Sequence, residues 1–294
     1  MLIPFGVIPA LVTPLTKDDR INENALRRLT AYVIKGGVHG VFATGSQGEF
    51  WAFSAEEKQR TWEIVVEETN HRVPVYAGTA AVTTKEAVAL TQLAEKVGVD
   101  AVSVLTPFFI NPSEEELYEH YRAIAASTKL PVLLYTNPDR TNVKMPTGLV
   151  TRLAKIENIV GIKDSSGDLT LSTDYIRAVP NDFSVLMGRD TLIYAGLLSG
   201  AKGGIAATAN VVPSLVVSIY ECFKQGDLAG SRQAQEALAP LRMAFTWGTF
   251  PVVIKEALDL IGLEGGPGRA PVGPMSPAQH ERLSNLLKEL KLIA

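Results

Sequence analysis

The sequence predicts an α/β fold, a closed (β/α)8 TIM barrel with a small helical region at its C-terminal end. Three observations predict it: short apolar runs alternate with amphipathic segments, three of those segments open on a helix-capping signature, and helices alone follow Gln225. The runs read as strands are Val7 to Val12, Gly40 to Ala43, Val73 to Ala77, Ala101 to Leu105, Val132 to Tyr135, Val160 to Lys163, Ser184 to Met187 and Gly204 to Ala206. Strands of a parallel sheet covered on both faces are near-continuously apolar, as these are. Eight such βα units suit a closed barrel, whose active site lies at the carboxyl ends of its strands. An open doubly wound sheet is the alternative topology. It calls for G-x-G-x-x-G after the first strand, and Thr13-Pro-Leu-Thr-Lys17 has no such glycines.

Between the strands, Ser54-Ala-Glu-Glu57, Thr83-Thr-Lys-Glu86 and Ser113-Glu-Glu-Glu116 match the capping box, in which hydroxyl and carboxylate satisfy free backbone donors reciprocally. Beyond Gln225 the predicted helices are Leu228 to Met243, Pro251 to Leu260 and Pro277 to Leu292, the last two linked by the Gly- and Pro-rich segment Gly262 to Pro271. Three helices alone bury little surface. Residues 1–225 are therefore expected to form the barrel carrying the active site, and residues 226–294 a helical appendage packed on it.

Composition excludes several classes of function. The chain has 294 residues, 46% hydrophobic and 20% charged, enough for one large core. A net charge of −3 with interspersed signs offers no basic face to a phosphate backbone, which argues against nucleic acid. The opening Met1-Leu-Ile-Pro-Phe-Gly6 lacks the charged n-region and long apolar h-region of a signal peptide. The longest charge-free stretch, Gly203 to Tyr220, is interrupted by Gly203-Gly204, Asn210 and Pro213, and reads as strand, loop and buried helix rather than a membrane span. The lone Cys222 cannot form an internal disulfide and reads as a small core residue of a cytoplasmic protein.

The most informative stretch is Gly161-Ile-Lys163-Asp-Ser-Ser166, which places a lysine where a buried strand leaves the core. A free lysine titrates near ~10.4, so few molecules are neutral at pH 7; apolar walls raise that fraction by penalising the ammonium, and a neutral amine attacks a carbonyl to give a Schiff base. Taken alone, the same residue also fits a strand-end lysine whose charge reaches water. If the barrel forms, Lys163 has company, because Thr44-Gly-Ser-Gln-Gly-Glu49, Thr106-Pro-Phe-Phe109 and Tyr135-Thr-Asn-Pro-Asp-Arg140 also follow strands and converge on the same end. Gly45-Ser-Gln-Gly48 lets successive N–H groups face one carboxylate, or else is an ordinary tight turn. Tyr135 is either a proton-passing phenol at a strand end or a core tyrosine with a satisfied hydroxyl.

Gly45-Ser-Gln-Gly-Glu49, Tyr135-x-x-Pro138 and Gly161-Ile-Lys163 together resemble the dihydrodipicolinate synthase and N-acetylneuraminate lyase family of pyruvate-dependent class I aldolases. The likeness extends over almost the whole chain, including Gly203-Gly-Ile-Ala-Ala-Thr-Ala-Asn210, from which Ile205 is carried over as a substrate contact. The resemblance implies a (β/α)8 barrel with a C-terminal helical region, assembled as a homotetramer, a dimer of dimers. It implies that Lys163 is the Schiff-base lysine, that Tyr135 relays protons to and from the adduct with Ser46 beside it, and that the Ser46 and Gln47 amides hold the carboxylate of a 2-oxo acid. It implies no cofactor. No metal is expected either, since His39, His71, His120 and His280 are scattered without ligand spacing.

Two positions depart from the family pattern. Phe109 stands where synthases carry a tyrosine that crosses a subunit interface to complete a hydroxyl relay, and phenylalanine has no exchangeable proton. Gln47 stands where they usually carry threonine. Among substrate contacts, Arg140 matches a family arginine near the site mouth that helps meet an acidic substrate, while Arg189 is expected to meet a distal anion and Asp190 and Ser165 a polyol chain. The leading expectation is a lysine-iminium lyase, aldolase or dehydratase, acting on pyruvate or a 2-keto-3-deoxy sugar acid. The lysine-pathway synthase that condenses pyruvate with aspartate semialdehyde is the alternative. A non-catalytic pyruvate-binding relative and a metal-dependent barrel lyase are the readings from other classes.

Overall fold

In the computed structural model, which describes residues 2–294, the eight expected strands form one parallel sheet ordered β1-β8-β7-β6-β5-β4-β3-β2. They are β1 (Gly6–Pro9), β2 (Val41–Ala43), β3 (Val75–Gly78), β4 (Ala101–Leu105), β5 (Val132–Thr136), β6 (Ile159–Asp164), β7 (Ser184–Met187) and β8 (Gly203–Ala206). Met1, the first residue of the opening segment, lies outside the described residues. The barrel closes where β1 meets β2: Ala10 pairs with Phe42, and the Leu11 N–H donates to the Phe42 carbonyl at 2.9 Å. This is why the first apolar run outlasts its strand. The Ala10 N–H still donates to the Ala206 carbonyl of β8 at 3.1 Å, and from Leu11 onward the chain turns to β2.

Alternation along each strand sorts side chains into two cores. Ile8, Ala10, Phe42, Tyr76, Ala101, Leu133, Leu186 and Ile205 fill the barrel interior, and a much larger apolar layer lies between sheet and helices. Ser54 and Ser113 open their helices with complete capping boxes. Thr83 caps its helix by accepting from the Glu86 N–H, but without a reciprocal bond from the Glu86 carboxylate. That carboxylate instead lies close enough to Lys58 to favour its charge against the effect of burial. A further complete box, Ser276 with Gln279, opens the last helix.

The charge-free stretch is strand, turn and helix as expected, and among the described residues no helix is long and apolar enough to cross a membrane. Cys222 corrects its expectation: it is partly exposed on the helix Pro213–Lys224, not in the core.

The C-terminal helices Leu228–Ala244, Val252–Leu260 and Pro277–Glu289 do more than pack on the barrel. Lys255 reaches the strand-end face and forms an ion pair with Glu49, both side chains fully buried. Burial holds the Lys255 ammonium below the usual lysine range, with Glu49 opposing that shift, and its Nζ also donates to the Pro267 carbonyl at 2.7 Å. The Arg269 N–H donates to Glu49 at 2.9 Å, and its guanidinium spans Glu57, Asp19 and the Ala52 carbonyl. The loop after β2 is thus clamped from the far end of the chain.

Candidate active site

One register detail sets the whole site. Val132 of β5 pairs with Ile159 of β6, but the next residue, Leu133, pairs with Gly161, so Val160 is a bulge. Without that extra residue the alternation would turn Ile162 inward and Lys163 outward; with it, Ile162 joins the outer core and Lys163 enters the barrel. Gly161 permits the arrangement, since a β-carbon there would collide with the Ser184 carbonyl oxygen of the neighbouring strand. The shifted register sets Lys163 directly beside Tyr135.

Lys163 is 4% exposed and Tyr135 3%. The amine stands 4.1 Å from the centre of the Tyr135 ring and 5.1 Å from that of Phe42, an apolar collar with its open side toward a cavity of about 500 Å³. The Tyr135 hydroxyl lies 3.3 Å from Ser46 Oγ and accepts from Asn137 Nδ2 at 3.2 Å. Burial alone pushes this phenol up. The charge on Lys163 and the hydrogen bonds from Ser46, Asn137 and Ser165 outweigh it, so the phenol sits below its usual range. A phenol with a lowered pKa is a better proton donor, and its phenolate a more accessible base.

The loop after β2 brings Ser46 and Gln47 over the amine. Thr44 has φ of +51°, rare for a β-branched residue, and is held there by donating to the Gly78 carbonyl at 3.2 Å and accepting from Trp62 Nε1 at 2.6 Å. Gly78 admits the approach, because a β-carbon would strike the Thr44 carbonyl. In this turn, Glu49 and Phe50 donate back to Ser46 and Gly45, while the Ser46 and Gln47 N–H groups have no acceptor among the described residues. Two free amides at the cavity wall suit a carboxylate. Gln47 also carries a buried Oε1 without a protein partner.

Every residue expected to act in catalysis or to contact substrate lines this cavity: Lys163, Tyr135, Ser46, Gln47, Ser165, Ile205, Arg140, Arg189 and Asp190. Their surroundings differ from expectation for two of them. Asp190 is buried, with one carboxylate oxygen accepting from both the N–H and the hydroxyl of Thr208 at 2.7 and 2.6 Å. That oxygen fixes the turn after β7. Arg189 is already paired with Asp139 and donates to the Ser165 carbonyl at 2.9 Å, so the unsatisfied cation is not here.

Sequence reasoning missed the outer wall, built by Arg242, Phe245, Thr246, Gly248, Thr249 and Phe250 from the C-terminal region, and missed Asn137. The appendage therefore contributes to the site. Two signals were available: the polar Asn137 inside Tyr135-Thr-Asn-Pro138, and the single lysine in the apolar run Val252-Val-Ile-Lys255, which marks a buried charge in need of a partner.

A strand-end amine in an apolar collar, a phenol beside it and free amides above define a class I, Schiff-base lyase on a (β/α)8 barrel. Comparison with known proteins gives the particular family. The chain belongs to the dihydrodipicolinate synthetase family, whose model matches residues 4–290. It is similar to the 4-hydroxy-tetrahydrodipicolinate synthase of Methanopyrus kandleri, 39% identical over 290 residues, covering 98% of this chain and 97% of that one. Among solved structures it is similar to YagE, a prophage protein of the dihydrodipicolinic acid synthase family from E. coli K12 in complex with pyruvate, at TM-score 0.95 and 32% identity, covering 99% of this chain and all of that one. It is also similar to a monomeric dihydrodipicolinate synthase variant, at TM-score 0.96 and 30% identity, covering 98% and 97% of the two chains.

Proposed function

We propose that this protein forms an iminium between Lys163 and a 2-oxo acid, pyruvate or the keto end of a 2-keto-3-deoxy sugar acid, and makes or breaks a bond at the adjacent carbon. The observation that carries the reading is the Lys163 amine at 4.1 Å from the Tyr135 ring, buried at the bottom of the strand-end cavity. The Ser46 and Gln47 amides hold the carboxylate, which directs the keto carbon toward the amine. Nitrogen attacks that carbon, the ketone oxygen leaves as water, and the iminium then accepts the electron pair of the adjacent C–H or C–C bond; the resulting enamine adds to an aldehyde, takes a proton, or expels a β-hydroxyl, which departs with its own bonding pair as water. Tyr135, with Ser46 and Asn137 on its hydroxyl, moves the protons. Phe109 supplies no hydroxyl to that relay, so it ends at water or at a substrate hydroxyl.

Borohydride reduction with pyruvate, followed by peptide mass spectrometry, tests the chemistry. The expected result is an irreversible pyruvate-dependent adduct on Lys163. Its absence in folded protein, with longer 2-oxo acids failing too, removes the reading.

A second substrate reading is condensation of pyruvate with aspartate semialdehyde. The similarity to proteins named 4-hydroxy-tetrahydrodipicolinate synthase favours it. Turnover of pyruvate with aspartate semialdehyde, measured against cleavage of 2-keto-3-deoxy acids, separates the two.

The proposed assembly is a homotetramer, a dimer of dimers. Phe109 supports an interface at the loop after β4, being 96% exposed with Ile110 exposed beside it. Sedimentation analysis measures the assembly directly, and a monomer at micromolar concentration would exclude it.

A further inference from the structure

We propose that Arg242, supplied by the C-terminal region, determines specificity by binding an anionic group at the distal end of the substrate, together with Arg140. The inference rests on the iminium reading above and adds the chemical class of what fills the outer half of the cavity. Three guanidiniums line that half. Arg189 is neutralised by Asp139. Arg140 and Arg242 have no carboxylate within salt-bridge distance among the described residues; instead each lies over a phenylalanine, Arg140 4.7 Å from the Phe250 ring centre and Arg242 5.2 Å from that of Phe245. Both rings belong to the same short connection between the helices Leu228–Ala244 and Val252–Leu260.

An aromatic platform fixes a guanidinium plane and leaves its N–H edge free, the geometry that takes a carboxylate in two parallel hydrogen bonds. The acids that line the cavity do not compete for that edge. Asp139 is occupied by Arg189, and Asp190 is turned into the fold toward Thr208. With Lys163 at the inner end, the cavity therefore favours a molecule anionic at both ends, one carboxylate at the Ser46–Gln47 amides and a second anion at the mouth. Arg242 is half-buried, where a charge-assisted bond is weakened less by solvent than at the open surface.

The test uses matched 2-oxo acids that label Lys163 directly, with and without a distal carboxylate: 2-oxoglutarate against 2-oxopentanoate, and 2-oxoadipate against 2-oxohexanoate. The readout is the concentration giving half-maximal borohydride trapping. In the wild-type protein the better diacid is expected to need about tenfold less or lower still, and Arg242→Met, which keeps the apolar stem, is expected to remove most of that preference while changing trapping of the monoacid by roughly twofold at most. Arg242→Lys retains part of it, lacking the fork.

An unchanged preference in Arg242→Met, or equal loss for diacid and monoacid, overturns the inference. So does a wild-type protein trapped by pyruvate that shows no preference in either pair or takes neither pair. Failure of pyruvate itself to label Lys163 strikes the underlying reading, and this inference falls with it.

Discussion

Two loops at the same end of the barrel, after β2 and after β4, are finished in opposite ways. The loop after β2 is closed from within: Glu49 is fully buried against Lys255, and Arg269 ties the same loop to Glu57 and Asp19. The loop after β4 is left open, with Phe109 at φ +73° and 96% exposed. The first presents backbone amides that must hold their positions for a carboxylate to be oriented. The second presents an apolar side chain that makes no use of this chain's own core. Precision in the site is thus obtained inside the chain, and the bare loop is where the proposed assembly would find its contact.

The comparison is broken most severely by removing the clamp. Lys255→Ala leaves a buried, unpaired carboxylate and is expected to cost about 3–5 kcal/mol in urea denaturation, with pyruvate-dependent labelling of Lys163 falling as the amides lose register. Replacing both partners by apolar residues, Glu49→Leu with Lys255→Met, is expected to recover most of the stability. If the single change costs less than about 1 kcal/mol, the loop is not held by this pair.

A smaller effect separates the loops by pH. His120 lies beneath the β4 loop, sharing a depression with Pro107, Ile110 and Pro112, and burial pushes its imidazole from 6.5 down to about 4. Between those values the unfolded chain holds a proton that the folded chain refuses, so this contribution is complete above pH 6.5 and is lost as pH falls toward 4. The loss reaches about 3 kcal/mol. His120→Asn, which still offers Thr84 a hydrogen-bond partner, is expected to flatten the change in urea midpoint over that range. Equal pH dependence in wild type and variant would place the acid sensitivity elsewhere.

The smallest effect on the chain itself is expected at Phe109. Phe109→Asp shifts stability by less than about 0.5 kcal/mol, because the ring makes little use of the chain's own core. The change should show instead as a lower sedimentation coefficient. An unaltered coefficient would detach the exposed loop from assembly.

Much of this was legible in the sequence. Ala101–Leu105 and Ser184–Met187 have the expected limits, because a strand buried on both faces is a bounded apolar run. Lys163 and Tyr135 stand near the carboxyl ends of their strands and Ser46 just beyond one, and barrel geometry gathers strand ends. What stayed hidden was non-local or a matter of count. Val160 looks like any apolar strand residue, and only its pairing across β5 reveals that it turns Lys163 inward. Arg242 and Phe250 reach the cavity from 196 and 204 residues beyond Ser46, with no periodic pattern to announce it. Asp190 stood where a ligand contact was expected, but whether a strand-end carboxylate faces substrate or a neighbouring turn depends on Thr208, which sequence does not orient.

Glu49 also has a history within each molecule's own synthesis. Its hydrogen-bond partner Arg269 lies 220 residues downstream. At roughly 5–20 residues per second, the loop leaves the ribosome about 10–40 s before the residues that neutralise its glutamate exist. Through that interval a nascent barrel can assemble its strands, yet its turn over Lys163 has an acid without a counter-charge and no reason to settle. A polypeptide released early or clipped before the last quarter thus carries the Lys163 amine but neither of the residues, Lys255 and Arg269, that hold the turn above it.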